Sequence, residues 1–201
     1  MRELHVISTG DMPLAQFTRI AAAIHPDVHA IHIREKRRTA RELRDCVQEL
    51  LHRGIPAHKI YVNDRLDVAW ATRIGGVHLA HHSLPVKEVA ALSHALRIGC
   101  SVHSVAEAKQ AANDGADYMF YGHIYDSPSK PGIPSRGLAQ LQAVANVVSI
   151  PVIAIGGIQP EKVTEILQHG AQGIAVLSGV MKAHDPVGRV RQYAEKLNER
   201  R

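Results

Sequence analysis

Short apolar runs alternate with helix-spaced segments eight times along the 201 residues, and that rhythm leaves few folds open. Strand-like runs lie at 4–8, 29–34, 59–62, 77–79, 97–102, 117–121, 151–155 and 173–177. In the second, Ala30 and His32 share one face and Ile31 and Ile33 the other, the period of a strand. Helical spacing fills the gaps, at 13–24, 65–72 and 137–147 among others. Thr39-x-x-Glu42 and Ser104-x-x-Glu107 are capping boxes opening two helices, and Gly54 closes the first. Ser83 with Pro85 starts a helix reaching about Leu96, Pro160 starts one ending at Gly170, and Asp185-Pro186 opens the last. Its stripe is Val187, Val190, Ala194 and Leu197.

Strict alternation demands parallel strands joined by crossovers. Eight units in this length predict a compact α/β fold, a (β/α)8 TIM barrel forming one domain over residues 1–201. The rival is an open doubly wound sheet. Its dinucleotide fingerprint is missing, since Ser8-Thr9-Gly10-Asp11 carries one glycine after the first strand. Gly115-Ala116-Asp117 and Gly170-Ala171-Gln172 read as repeated helix C-caps. Hydrophobic residues are 45% of the chain but aromatics only 4%, so Ala, Val, Ile and Leu must build the core. That composition suits strands covered on both faces.

The net charge of +5 points to an anionic partner. Only Arg34-Glu35-Lys36-Arg37-Arg38 is a dense basic cluster, and Phe and Trp are too few to serve as stacking platforms. A small phosphorylated or carboxylated metabolite therefore fits better than nucleic acid. Cys46 and Cys100 read as reduced, buried thiols. No run of about 18 apolar residues is present to span a membrane. The opening MRELHVIS does not read as a signal peptide, and a cytoplasmic protein is expected. A homo-oligomer is compatible with the sequence.

In such barrels the chemistry sits at the carboxyl ends of the strands. That rule brings together Arg34, Glu35 and Lys36, then Asn63, Asp64 and Arg65, then His81, His82 and Ser83, then Ser101 and His103, then His123. Gly156-Gly157 and Leu177-Ser178-Gly179 follow the last two strands, where backbone N–H groups can bind phosphate. Ser127, Ser129 and Lys130 add two hydroxyls and an ammonium on the neighbouring loop. Imidazoles at a rim serve either as metal ligands or in proton transfer. The sequence shows no H-x-H on the first strand and no late metal-binding aspartate, so no metal is expected on these residues. His123, directly after a buried strand and beside the phosphate loops, is the leading candidate for a general base.

These phrases resemble the thiamin phosphate synthase superfamily over almost the whole chain. They are Ile33-Arg34-Glu35-Lys36, Val62-Asn63-Asp64-Arg65, Gly75-Gly76-Val77-His78-Leu79, Ser101-Val102-His103-Ser104, Gly115-Ala116-Asp117-Tyr118 and 151–158, in family order. The family's synthase joins a pyrimidine pyrophosphate to a thiazole phosphate, with magnesium. The resemblance implies Arg34, Lys36 and Lys130 on the pyrophosphate, Asn63 and Ser101 nearby, and Asp64 on the metal. It also implies Ser127, Ser129, Gly157, Leu177 and Ser178 around the thiazole phosphate.

Three positions depart from that pattern. His32 replaces a glutamine, Ser83 replaces a metal-binding aspartate, and His123 replaces a proline. A lost carboxylate weakens a site for a hard cation, while Gly122-His123-Ile124-Tyr125 is similar to the thiazole tautomerase (TenI-type) branch. The expectation is therefore an isomerase that aromatises a carboxythiazole phosphate without cofactor. In it His123 moves the proton, alone or with His103. Arg34, Lys36, Asn63 and Ser101 hold the carboxylate, and Ser127, Ser129, Lys130 and the loops at Gly156, Gly157, Leu177, Ser178 and Gly179 lie around the phosphate. Two alternatives stand beside it: a synthase with an altered metal site, and a non-catalytic ligand-binding homologue.

Overall fold

A computed structural model describes residues 2–92, 95–127 and 130–199. Eight strands, β1 Glu3–Ile7, β2 Ala30–Ile33, β3 Ile60–Asn63, β4 Gly76–Leu79, β5 Arg97–Val102, β6 Tyr118–Gly122, β7 Val152–Ile155 and β8 Gly173–Val176, close into a barrel in chain order. Every neighbouring pair is parallel, and β8 pairs back onto β1 with Leu4 opposite Ile174. Closure excludes the open sheet and bears out the barrel reading.

The helices are α1 Leu14–Ile24, α2 Ala40–His52, α3 Leu66–Thr72, α4 Val86–Leu92, α5 Val105–Asn113, α6 Gly137–Ala145, α7 Val163–Gln168, α8 Ser178–Met181 and α9 Pro186–Asn198. The four-residue α8 is an addition to the expected set: it opens directly on the Ser178-Gly179 step, too short to leave a periodic signature. None of the described helices is long and apolar enough to cross a membrane.

Local chemistry explains the boundaries. Thr39 accepts from the Glu42 N–H while Glu42 returns to the Thr39 N–H, so the first capping box is complete. The second is half formed. Ser104 accepts from the Glu107 N–H, but Glu107 reaches one residue further back, to the His103 N–H at 2.8 Å. Asp185 caps α9 by accepting from the Gly188 N–H.

Strand phase sorts the core into two layers. Leu4, Val6, Ile31, Ile33, Val62, Val77, Ile98, Met119, Tyr121 and Ile174 point outward and pack under the helices. Ile7, Ala30, Tyr61, Tyr118, Phe120, Ile153 and Ala175 point inward. The interior also holds His5, His32 and His78, none more than 1% exposed. Tyr118 fits because Gly99 lies opposite it on β5; a Cβ there would occupy the phenol ring.

Candidate active site

The carboxyl-terminal rim gathers most of the expected side chains. Arg34 follows β2 directly, and its N–H donates to Ser8 Oγ at 2.8 Å, which locks the two adjacent loops together. Arg34 and Lys36 line a cavity of about 790 Å³ with Thr9 to Pro13 on its opposite wall. Arg38 is paired with Glu42, but among the described residues Arg34 and Lys36 have no carboxylate partner. Two unneutralised cations on one cavity are an anion site in electrostatic terms.

Asn63 ends β3, and its Oδ1 is buried without a partner. Asp64 follows with φ 69°, a left-handed conformation that is rare outside glycine and asparagine. Its N–H is held by the His78 carbonyl at 2.9 Å, and its exposed carboxylate sits 3.8 Å from His82 Nε2. Ser101 Oγ contacts His78 Nε2 at 2.9 Å. Ser83, where a second carboxylate was expected in the family, accepts from the Ala80 N–H at 2.8 Å and holds its own turn. His81 and His82 are exposed beside it.

Ser127 and Lys130 line a second cavity of about 600 Å³ with Asp126 and residues 131–134. Ser129 lies outside the described residues. Leu177 precedes α8, so Ser178 and Gly179 occupy its first turn, where N–H groups have no partner within the helix. The Tyr193 hydroxyl donates to the Ile158 carbonyl at 2.7 Å and lies against Gly179, clamping the two glycine loops to α9.

His123 lines neither of the two cavities. Only 8% of it is exposed, and its Nε2 donates to the Ile133 carbonyl at 3.0 Å. Its Cβ fills the space that a Cβ on Gly156 would need. The imidazole is a strut between β7 and the 131–137 loop. His103 is partly exposed and tied to α5, with Nδ1 3.4 Å from Glu107. Among the described residues no three His, Cys, Asp or Glu side chains converge as a metal-ligand cluster.

The model of the family described as thiamine monophosphate synthase matches residues 4–180. The chain belongs to that family. A Chloroflexus aurantiacus protein named thiamine-phosphate synthase is 38% identical over 181 residues, covering 86% of this chain and 81% of its own length. One of that name from Natronomonas pharaonis is 38% identical, covering 89% of this chain and 86% of its own. Among solved structures, a thiamine phosphate pyrophosphorylase from Pyrococcus furiosus superposes with a TM-score of 0.82 at 30% identity, covering 97% of this chain and 95% of its own.

These relatives overturn the isomerase expectation. The activity they are named for is a transfer, and the departures at His32, Ser83 and His123 do not outweigh likeness spread over the chain. At His123 the ring's Nε2 donates to the Ile133 carbonyl. The family's glycine pair also has a packing cause here. Gly156 and Gly157 have φ of 101° and 67°, and a side chain on either would strike His123 or the Tyr125 and Asp126 carbonyls. Gly156→Ala is expected to cost about 2–4 kcal/mol of stability from strain and overlap together. Urea unfolding of the variant checks it; a midpoint equal to the parent's would disprove the packing role.

Proposed function

We propose that the protein is a thiamine-phosphate synthase, a transferase that joins a pyrimidine pyrophosphate to a thiazole phosphate and releases pyrophosphate. The likeness to relatives of that name, 38% identical over most of both chains, carries this reading. The rim supports it. Among the described residues Arg34 and Lys36 have no carboxylate partner on the larger cavity, where four cations face Asp11 and Glu35, as needed by a leaving group that gains negative charge as its bond to carbon breaks. Ser127 and Lys130 share a second cavity, Ser127 assigned to the thiazole phosphate together with the two glycine loops and Lys130 to the pyrophosphate. In this assignment Asn63 and Ser101 border the pyrophosphate.

Magnesium accompanies the pyrophosphate in this reading, where the isomerase expectation called for no cofactor. The residues present fit a hydrated ion that is held partly by substrate. Asp64 offers one exposed carboxylate beside the amide of Asn63, and magnesium is commonly bound by one or two carboxylates plus phosphate oxygens. Ser83 is committed to the Ala80 N–H and leaves Asp64 as the protein's carboxylate there. Bound in this way, the ion would neutralise pyrophosphate as it departs. The chain's own cations orient that group, and the cavity walls hold the two rings together.

The test is direct. The protein, given pyrimidine pyrophosphate and thiazole phosphate, is expected to form thiamin phosphate and pyrophosphate in equal amounts with magnesium, and neither with chelator. Absence of product at high enzyme and magnesium would leave the ligand-binding alternative.

A further inference from the structure

The barrel interior contains a polar chain that the transfer reaction does not explain. At its floor Arg97 grips Glu3 with two hydrogen bonds of 2.8 Å. Glu3 Oε2 meets His5 Nε2 at 2.7 Å, and His5 Nδ1 meets His32 Nε2 at 2.9 Å. That leaves His32 Nδ1; His32 pairs with Tyr61 across β2 and β3, and Asn63, two residues beyond Tyr61, lies on the same inward face. Both His32 Nδ1 and Asn63 Oδ1 are buried, and neither has a hydrogen bond of acceptable geometry.

Counting hydrogens decides how these groups are arranged. Three contacts, Glu3–His5, His5–His32 and His32–Asn63, need one hydrogen each. Two neutral imidazoles carry one each. The third must come from an added proton or from the amide of Asn63. An imidazolium here is opposed by complete burial and by Arg97, which already neutralises Glu3. The other groups facing the two rings are Tyr61, stacked on His32 at 5.0 Å, with His78, Tyr118 and Phe120; none is a carboxylate. Burial also drives both imidazoles below the ordinary histidine range.

The hydrogen therefore comes from Asn63. Turning its amide over places Nδ2–H on His32 Nδ1 and removes both orphaned atoms at once; oxygen and nitrogen of an amide are exchanged by that single rotation. We propose that His32 is a positioning residue: held as the Nε2–H tautomer by His5, it accepts from Asn63 and turns the Asn63 carbonyl toward the substrate rim. The rim thus presents an acceptor beside Asp64, suited to a hydrogen-bond donor. The positioning role rests on the transferase reading, whereas the tautomer does not.

Two measurements test this. Nitrogen-15 spectra of histidine-labelled protein, with His32 assigned by its loss in His32→Gln, are expected to show Nε2 protonated and Nδ1 bare from pH 6 to 9. A protonated Nδ1, or titration of this ring within that range, would overturn the proposal whether or not the protein makes thiamin phosphate. In the kinetic arm, His32→Leu removes the acceptor and is expected to raise KM for pyrimidine pyrophosphate about tenfold or more, with KM for thiazole phosphate unchanged. His32→Gln, which restores the family residue, can accept from Asn63 and donate to His5, and should stay within about threefold of the parent. Equal KM values in both variants, or equal losses for both substrates, would remove the positioning role.

Discussion

Arg34→Gln is expected to lower kcat/KM for pyrimidine pyrophosphate by about 10²-fold or more, while thermal stability stays within about 0.5 kcal/mol. The expectation follows from where the charge sits. The Arg34 backbone is fixed by the Ser8 hydroxyl and by β2, so the guanidinium is presented from a rigid edge. No carboxylate among the described residues neutralises it, so its field is available to the ligand. A bidentate guanidinium on departing phosphate strengthens as charge develops, and about 3 kcal/mol of such stabilisation corresponds to about two orders of magnitude in rate. Glutamine keeps much of the length and one donor group but no charge. Lys36→Gln, on a more exposed flexible stem, is expected to lose less, about tenfold. Steady-state kinetics with each substrate varied in turn distinguishes these effects. An Arg34→Gln enzyme at parental kcat/KM would place the pyrophosphate elsewhere.

The barrel was legible because both of its periods are written in the chain. Strands alternate with helices along the sequence, and within β2 Ala30 and His32 alternate with Ile31 and Ile33. The same period does not reach His123. Within β6, Tyr118 and Phe120 point inward while Met119 and Tyr121 point outward, and the strand ends at Gly122 before His123. Location at a strand end nominated His123, and that location says nothing of the loop carbonyl its ring meets. Family glycines misled more subtly. Gly156 is required by the neighbouring His123 strut as much as by any phosphate, and a sequence does not reveal which contact removes the side chain.

The interior histidines were hardest to read. His5 and His78 sit in apolar strands, where an isolated imidazole looks like an incidental polar residue. Their role depends on partners far along the chain: His78 meets Tyr118 and Ser101, and His5 meets His32. With few aromatic residues available, three imidazoles help Tyr61, Tyr118 and Phe120 to fill the barrel. Only closure of the sheet brings β1, β2, β4 and β6 into one layer.

That filling makes the fold acid-sensitive. Burial pushes His5 and His32 below their ordinary range and takes His78 down to about 3. In the unfolded chain the same rings take up protons as pH falls below about 6.5. The unfolded state then binds more protons than the native state, up to three, and stability declines as pH drops. At about 1.4 kcal/mol per proton per pH unit, these rings set an upper slope of about 4 kcal/mol per unit near pH 5. Glu3, held down to about 2 by its bonds to His5 and Arg97 despite burial, adds a second loss as pH falls below about 4.5. Up to about 6 kcal/mol is lost by pH 5 and about 10 by pH 4, so a domain in the lower half of the usual range of about 5–15 kcal/mol unfolds between about pH 5 and 4. Urea midpoints at pH 8, 6.5, 5.5 and 5 measure the slope. His78→Gln, whose side chain does not titrate, should flatten it by about one third even though it lowers stability at pH 8. A midpoint constant from pH 7 to 5 would mean that the interior rings are protonated in the native protein, and the neutral chain from Glu3 to Asn63 would fail with it.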